Sequence, residues 1–350
     1  MKLKFIALGI SIFTFFTAAQ AKIWRVNNNA GVQADFTSFT DVINSASVAA
    51  GDTIHMEASS TDYSVTTMTK RLVVIGLGYF LNPADATYPA NPGLQASAFS
   101  SGLSGFTIAN GANGSKFLGI RLSSISINGT AAPISLTFEK CFFSSGIFFA
   151  SAAHSGITIR KCFFSNSRIE ATGGSLTNFV CENNIFYTTF SFINLPVLTG
   201  ANNIFRNNSL SGVGVGCTIA NCYVANNISD APGWTFTNCS IKNNLFSNAQ
   251  TLPGTATNNL ISVSIPSVYV GGSTGSLDSR MALKAGSPAL AAGLTLGPVI
   301  TPDCGAYGAT DPYKLSGIPN IPSIYTLTVP ISIPSGSSTM SVTFSTRNNN

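Results

Sequence analysis

An all-β solenoid, a parallel β-helix of short stacked coils, is the fold this sequence predicts. Three observations carry it: an eight-residue unit recurs roughly every 20 residues, each unit alternates apolar with polar side chains, and the composition is sparing of charge. Of 350 residues only 9% are charged, 45% are hydrophobic and 32 are glycine. That balance excludes a disordered chain, which needs low hydrophobicity and high net charge, and a coiled coil, which needs abundant Ala, Glu, Lys, Leu and Arg. A formal charge of +5 without a basic cluster argues against a nucleic-acid partner.

At the start of the chain Lys2 and Lys4 precede an apolar run from Phe5 to Phe16, and Ala19-x-Ala21 follows. This order reads as a signal peptide over residues 1–21, with the mature chain beginning near Lys22. The run falls short of the roughly 20 apolar residues that span a bilayer, so export to the periplasm, cell surface or medium is expected, with no transmembrane segment.

The repeat reads LTFEKCFF from Leu136, ITIRKCFF from Ile157, FVCENNIF from Phe179, LTGANNIF from Leu198, CTIANCYV from Cys217 and WTFTNCSI from Trp234, with a weaker GTATNNLI from Gly254. Taking the sixth position as register places Cys141, Cys162, Asn184, Asn203, Cys222, Cys239 and Asn259 in one column, with Ile120 in a degenerate earlier copy. Alternation with period two is that of a strand with one buried face. No unit can bury that face alone, so stacking at ~4.8 Å with parallel pairing is required. Phe138, Ile159, Cys181, Ile219 and Phe236 are expected inward in one stack. At position six, stacked Asn amides would hydrogen-bond from coil to coil while Cys serves as a small hydrophobe. In-register neighbours such as Cys141 over Cys162 and Cys222 over Cys239 meet disulfide geometry poorly, so free thiols are expected.

These units resemble those of secreted right-handed parallel β-helix proteins of the pectin-lyase-like superfamily, of the kind exported by Bacteroidetes. Ser38 to Met56 resembles the helix and first strand that cap such folds, with the helix near Ser38 to Ala49. Lys70 to Asn82 resembles the first coil, and LKAGSPALAAG with PDCGAYG, ending at Gly308, resembles the closing one. The resemblance implies one right-handed helix over 22–308 with about nine or ten coils. It says little of activity, since the superfamily holds lyases, hydrolases, epimerases and binding proteins.

Two segments lie outside the coils. Residues 82–104, rich in Pro, Ala, Gly and Ser, read as a long loop, with Tyr88 and Gln95 of interest because binding residues concentrate on such loops. Residues 309–350 carry two alternating stretches, Tyr325 to Val329 and Met340 to Phe344. They read as a capping β tail against the end of the helix, where it would cover an open strand edge.

Chemistry is scarce. Hydrolysis of a polysaccharide needs two carboxylates about 5 to 10 Å apart, yet between Gly102 and Asn227 the acids are Glu139, Glu170 and Glu182 alone. The clustered aspartates and Gly-His-Gly of polygalacturonases are absent, and three dispersed glutamates are few for a calcium-dependent lyase. Position four nevertheless stacks Glu139, Arg160 and Glu182, with Lys140 and Lys161 beside them and Arg168, Glu170 and Arg206 nearby. Such residues suit β-elimination at a uronate, where a base removes a proton and a cation stabilises the charge. They equally suit cross-strand ion pairing. A threonine column at position two (Thr137, Thr158, Thr199, Thr218, Thr235, Thr255) suits any exposed strand and, if flat, an ice lattice. His55 and His154 are read as incidental, and neither a metal nor another cofactor is implied. Two readings stay open: a β-helix that binds polysaccharide or surface glycan, or builds surface structure, without catalysis, and a polysaccharide lyase or hydrolase.

Overall fold

The computed structural model describes residues 21–91, 93–94, 99–129, 134–187, 193–212, 216–295 and 297–349; the expected signal peptide and Gln95 lie outside them. The chain winds into a right-handed parallel β-helix of about seven complete turns. One sheet has ten parallel strands, from Ile23–Val26 to Ser240–Lys242. The expected nine or ten coils thus match the strand count of this sheet, while partial coils at both ends leave fewer complete turns.

The other two faces share a second hydrogen-bonded sheet. Its first column runs from Gly102–Leu103 to Leu245–Phe246 and its second from Thr67–Met68 to Thr235–Thr237. Strands Arg121–Ile127 and Phe142–Phe149 are long enough to belong to both, and their register shifts between Phe143 and Gly146. Gly146, at φ 130°, supplies the bend. At the N-terminus the helix Phe39–Asn44 is shorter than expected: Ser38 caps it by accepting from the Asp41 amide, and Ser45 is already extended.

Register stacks like upon like in the core. Phe117 lies over Phe138 with ring centroids 5.1 Å apart, and Phe143, Phe164 and Phe186 follow one another at 4.6 and 4.5 Å. Phe138, Ile159 and Cys181 stack inward as expected, and the column continues through Phe205, Val224 and Ile241. Ile219 and Phe236 belong elsewhere, stacking on Leu195 in the other sheet.

The reason is a five-residue slip in the expected register after Asn184. Position six continues through Asn208, Asn227, Asn244 and Asn259, not through Asn203, Cys222 and Cys239, which begin first-sheet strands instead. Two corners of each coil take the same local form, a left-handed residue followed by a small buried one. One corner holds Lys140, Lys161, Asn183, Asn207, Asn226 and Asn243 at φ between 52° and 57°; the other holds Asn178, Asn221 and Asn238 between 45° and 51°. Asparagine tolerates this backbone better than most residues, so Asn-Cys and Asn-Asn recur at both corners and the sequence alone does not distinguish them. The slip also disperses the threonine column: Thr137 and Thr158 lie on the first sheet and Thr218 and Thr235 on the second, so no single flat array forms.

The C-terminal segment covers a face, not the end. Phe142, Phe163, Ile185, Ile228 and Leu245 point outward from the second sheet and are buried under Val268, Leu277, Met281, Cys304 and Tyr313. The covering chain then runs backward along the first corner. Asn183 Nδ2 donates to the carbonyls of Ala306 and Gly308, Lys161 pairs with Asp311, and Tyr79 N donates to the carbonyl of Ser316. Beyond it, Ser323–Thr328 and Thr343–Arg347 form the expected β tail as an antiparallel hairpin, with most of its side chains in solvent.

Candidate functional site

The expected charged cluster divides in two. Glu139, Arg160 and Glu182 are in register on neighbouring first-sheet strands, and Arg206 extends the column. Arg160 Nη2 donates to Glu139 at 2.7 Å, and Arg206 donates to Glu182 through Nε at 2.9 Å. Each carboxylate is therefore engaged by the guanidinium one coil above. Arg168 and Glu170 pair with each other at 2.6 Å on the other sheet and do not converge on this column.

Lys140 and Lys161 turn away from the column because each occupies the left-handed corner. They are 3% and 5% exposed. Lys140 Nζ donates to the carbonyl of Ile318 at 2.9 Å and to Asn320 Oδ1; Lys161 bridges Glu139 and Asp311. Burial, reinforced by the charge of Lys161, lowers the Lys140 pKa from 10.5 to about 8. That value suits a base, but the ammonium lies beneath the covering chain, and a general base needs an open approach to its substrate.

His55 is half-buried in the strand Thr53–Met56, beside Arg25 and Ile75 of the adjacent strands. His154 is 2% exposed, its ring 5.7 Å from Phe149. All seven cysteines are free and buried; burial raises the thiol pKa of Cys162, Cys181, Cys222 and Cys239.

The long loop builds a cleft instead. Its cavity of about 200 Å³ is floored by Tyr79, Phe80 and Phe142 and walled by Asn82, Asp85 and Tyr88 from the loop, with Ser59, Ser60, Phe99, Ser100 and Arg121 opposite. Asp85 Oδ1 accepts from the amides of Thr87 at 3.0 Å and Tyr88 at 2.9 Å, which fixes the turn presenting Tyr88. The Tyr88 ring meets Phe142 edge-on at 5.2 Å. Phe99 remains 46% exposed. The Arg121 guanidinium sits 5.7 Å from the Phe142 centroid and, among the described residues, pairs with no carboxylate. Aromatic walls, hydroxyls and one unpaired cation thus meet in one concavity, a combination that suits a polar ring carrying an acidic group.

A second, shallower groove of about 510 Å³ is lined by hydroxyls of Thr40, Ser64, Thr66, Ser104, Thr107, Ser124 and Ser126, without a charged side chain. Tyr88 was legible as a candidate from its loop. Arg121 and Phe99 were not, because their partners come from distant coils. The available signal was the doubled Phe142-Phe143: two adjacent large apolar residues on a strand require cover on both faces.

No protein-family model and no curated protein matches the chain.

Proposed function

We propose that the protein is an exported β-helix of the pectin-lyase-like type that binds acidic glycan without cleaving it, taking one carboxylate-bearing sugar into the cleft beneath the loop. The observation that carries this reading is Arg121, a guanidinium without an acidic partner held over an aromatic floor. A planar guanidinium receives a carboxylate through two parallel hydrogen bonds. Ser59, Ser60 and Ser100 supply hydroxyls for the ring oxygens, and Phe99 a face for its C–H groups. The self-paired Glu139–Arg160 and Glu182–Arg206 ladder leaves no carboxylate free for acid and base roles, which favours binding over cleavage.

Calorimetric titration with glucuronate and galacturonate oligosaccharides, beside their neutral parents, tests the reading. Binding of the acidic series, lost in Arg121→Ala, is the expected result; equal binding by Arg121→Ala, or a preference for the neutral sugars, contradicts it.

A lyase is the second reading, favoured by the Lys140 pKa near 8. It requires unsaturated product from an acidic polysaccharide that disappears in Lys140→Asn, a substitution the left-handed corner accepts. If neither binding nor turnover appears across a wide panel, a structural surface role remains.

A further inference from the structure

The walls of the cleft come from three stretches of chain far apart in sequence, and one buried carboxylate touches or reaches all of them. Asp278 is fully buried and, among the described residues, pairs with no cation. Its Oδ1 accepts from Asn91 Nδ2 at 3.0 Å and from the amide of Ser279 at 2.9 Å. Its Oδ2 accepts from the amide of Ser316 at 2.8 Å and from the Tyr313 hydroxyl at 3.2 Å. The Ser276 hydroxyl lies between Asp278 Oδ1 and Asn91 Oδ1. An ionised carboxylate only accepts, so a shell of N–H and O–H donors is the environment that stabilises it in place of a cation.

Each donor belongs to a different part of the cleft's support. Asn91 closes the loop that carries Asp85 and Tyr88, and its own amide donates to the carbonyl of Phe80 on the floor. Tyr313 and Ser316 belong to the covering chain. The Tyr313 hydroxyl lies 2.6 Å from that of Tyr79, another floor residue, and Tyr79 N donates to the carbonyl of Ser316. The hydroxyl of Tyr307 donates to the Asp278 carbonyl at 2.7 Å, so backbone and side chain of one residue are both held.

We propose that Asp278 is the positioning residue of the cleft, tying the loop through Asn91 and the floor through Tyr313 and Tyr79, so that sugar affinity depends on a residue that never touches sugar. The link to affinity rests on the glycan reading; the tie itself does not. In Asp278→Asn one oxygen becomes an amide that faces donors, and the shell loses part of its acceptor.

Amide hydrogen exchange of residues 80–91 in the sugar-free protein tests the tie, with wild type, Asp278→Asn and Tyr313→Phe compared. Both variants are expected to exchange this segment about tenfold faster by local opening, while Leu136–Glu139 and Ile157–Arg160 keep wild-type protection. Asp278→Asn is further expected to bind a glucuronate oligosaccharide about tenfold more weakly. Tyr313→Phe deletes one hydroxyl and keeps the ring, and it decides the matter if Asp278→Asn does not fold. Wild-type exchange across 80–91 in a folded variant overturns the tie. A loosened segment with unchanged affinity overturns the link to binding. A loosened segment in a protein whose wild type binds no acidic sugar supports the tie and removes the glycan reading.

Discussion

Asn208 donates both its backbone N–H and its side-chain amide to a single oxygen, Oδ1 of Asn227 one coil above, at 2.9 and 3.0 Å. Asn184 relates to Asn208 in the same way, Asn227 to Asn244, and Asn244 to Asn259. Each amide also donates inward across the corner, as Asn227 Nδ2 does to the carbonyl of Phe205. The ladder satisfies, inside the barrel, the polar groups that the bend would otherwise leave unpaired.

Removing a central rung should therefore cost more than removing the last. Asn227→Ala strands two buried donors of Asn208 and is expected to lower stability by about 2–4 kcal/mol, since each unsatisfied buried group costs about 1–3 kcal/mol. Asn259→Ala, at a half-open end, should cost less than half as much. Urea unfolding of the two variants checks the order.

The left-handed corner gives a second expectation. Asn207 sits at φ 52° and neither atom of its amide has a partner among the described residues. Its side chain is therefore retained for backbone tolerance rather than bonding. Asn207→Gly is expected to match or slightly exceed wild type, while Asn207→Ala loses about 1 kcal/mol, the usual penalty of a Cβ in this region. Equal stability of the two variants in thermal unfolding would contradict this account.

Much of this was legible from period alone. Alternation identified Leu136–Glu139 and Ile157–Arg160 as strands, and the identity of their sixth residues set their register. Register failed at Asn203, because Asn202-Asn203 and Asn207-Asn208 are locally alike and only the neighbouring coil distinguishes them. The cover over Phe142 and Phe163 was also hidden, since it joins residues more than 100 positions apart. The cleft shares that difficulty: Arg121 and Tyr88 converge only after one coil has closed.

His154 makes stability depend on pH. Burial lowers its pKa below 6.5. The unfolded chain then takes up a proton before the folded one does, so the stability contribution is complete above pH ~6.5 and declines as pH falls from there toward the lowered native value. His55 is shifted in the same direction. Replacing His154 by Phe should flatten, but not abolish, the loss of melting temperature between about pH 7 and 5.

The charged ladder should matter little to stability. Arg206→Met breaks a half-exposed pair with Glu182 and is expected to cost less than about 1 kcal/mol, and less again in concentrated salt. Denaturation at low and high ionic strength checks both parts. A loss of several kcal/mol would mean that the ladder holds the coils together.

Hydrogen exchange of the wild-type protein with and without a glucuronate oligosaccharide addresses the central claim most directly, because it reports where the sugar sits without a substitution. Added protection over residues 79–88, 99–100 and around Arg121, with the first-sheet strands unchanged, is the expected result. Protection centred instead on Glu139, Arg160 and Glu182, or no change at saturating sugar, would contradict it.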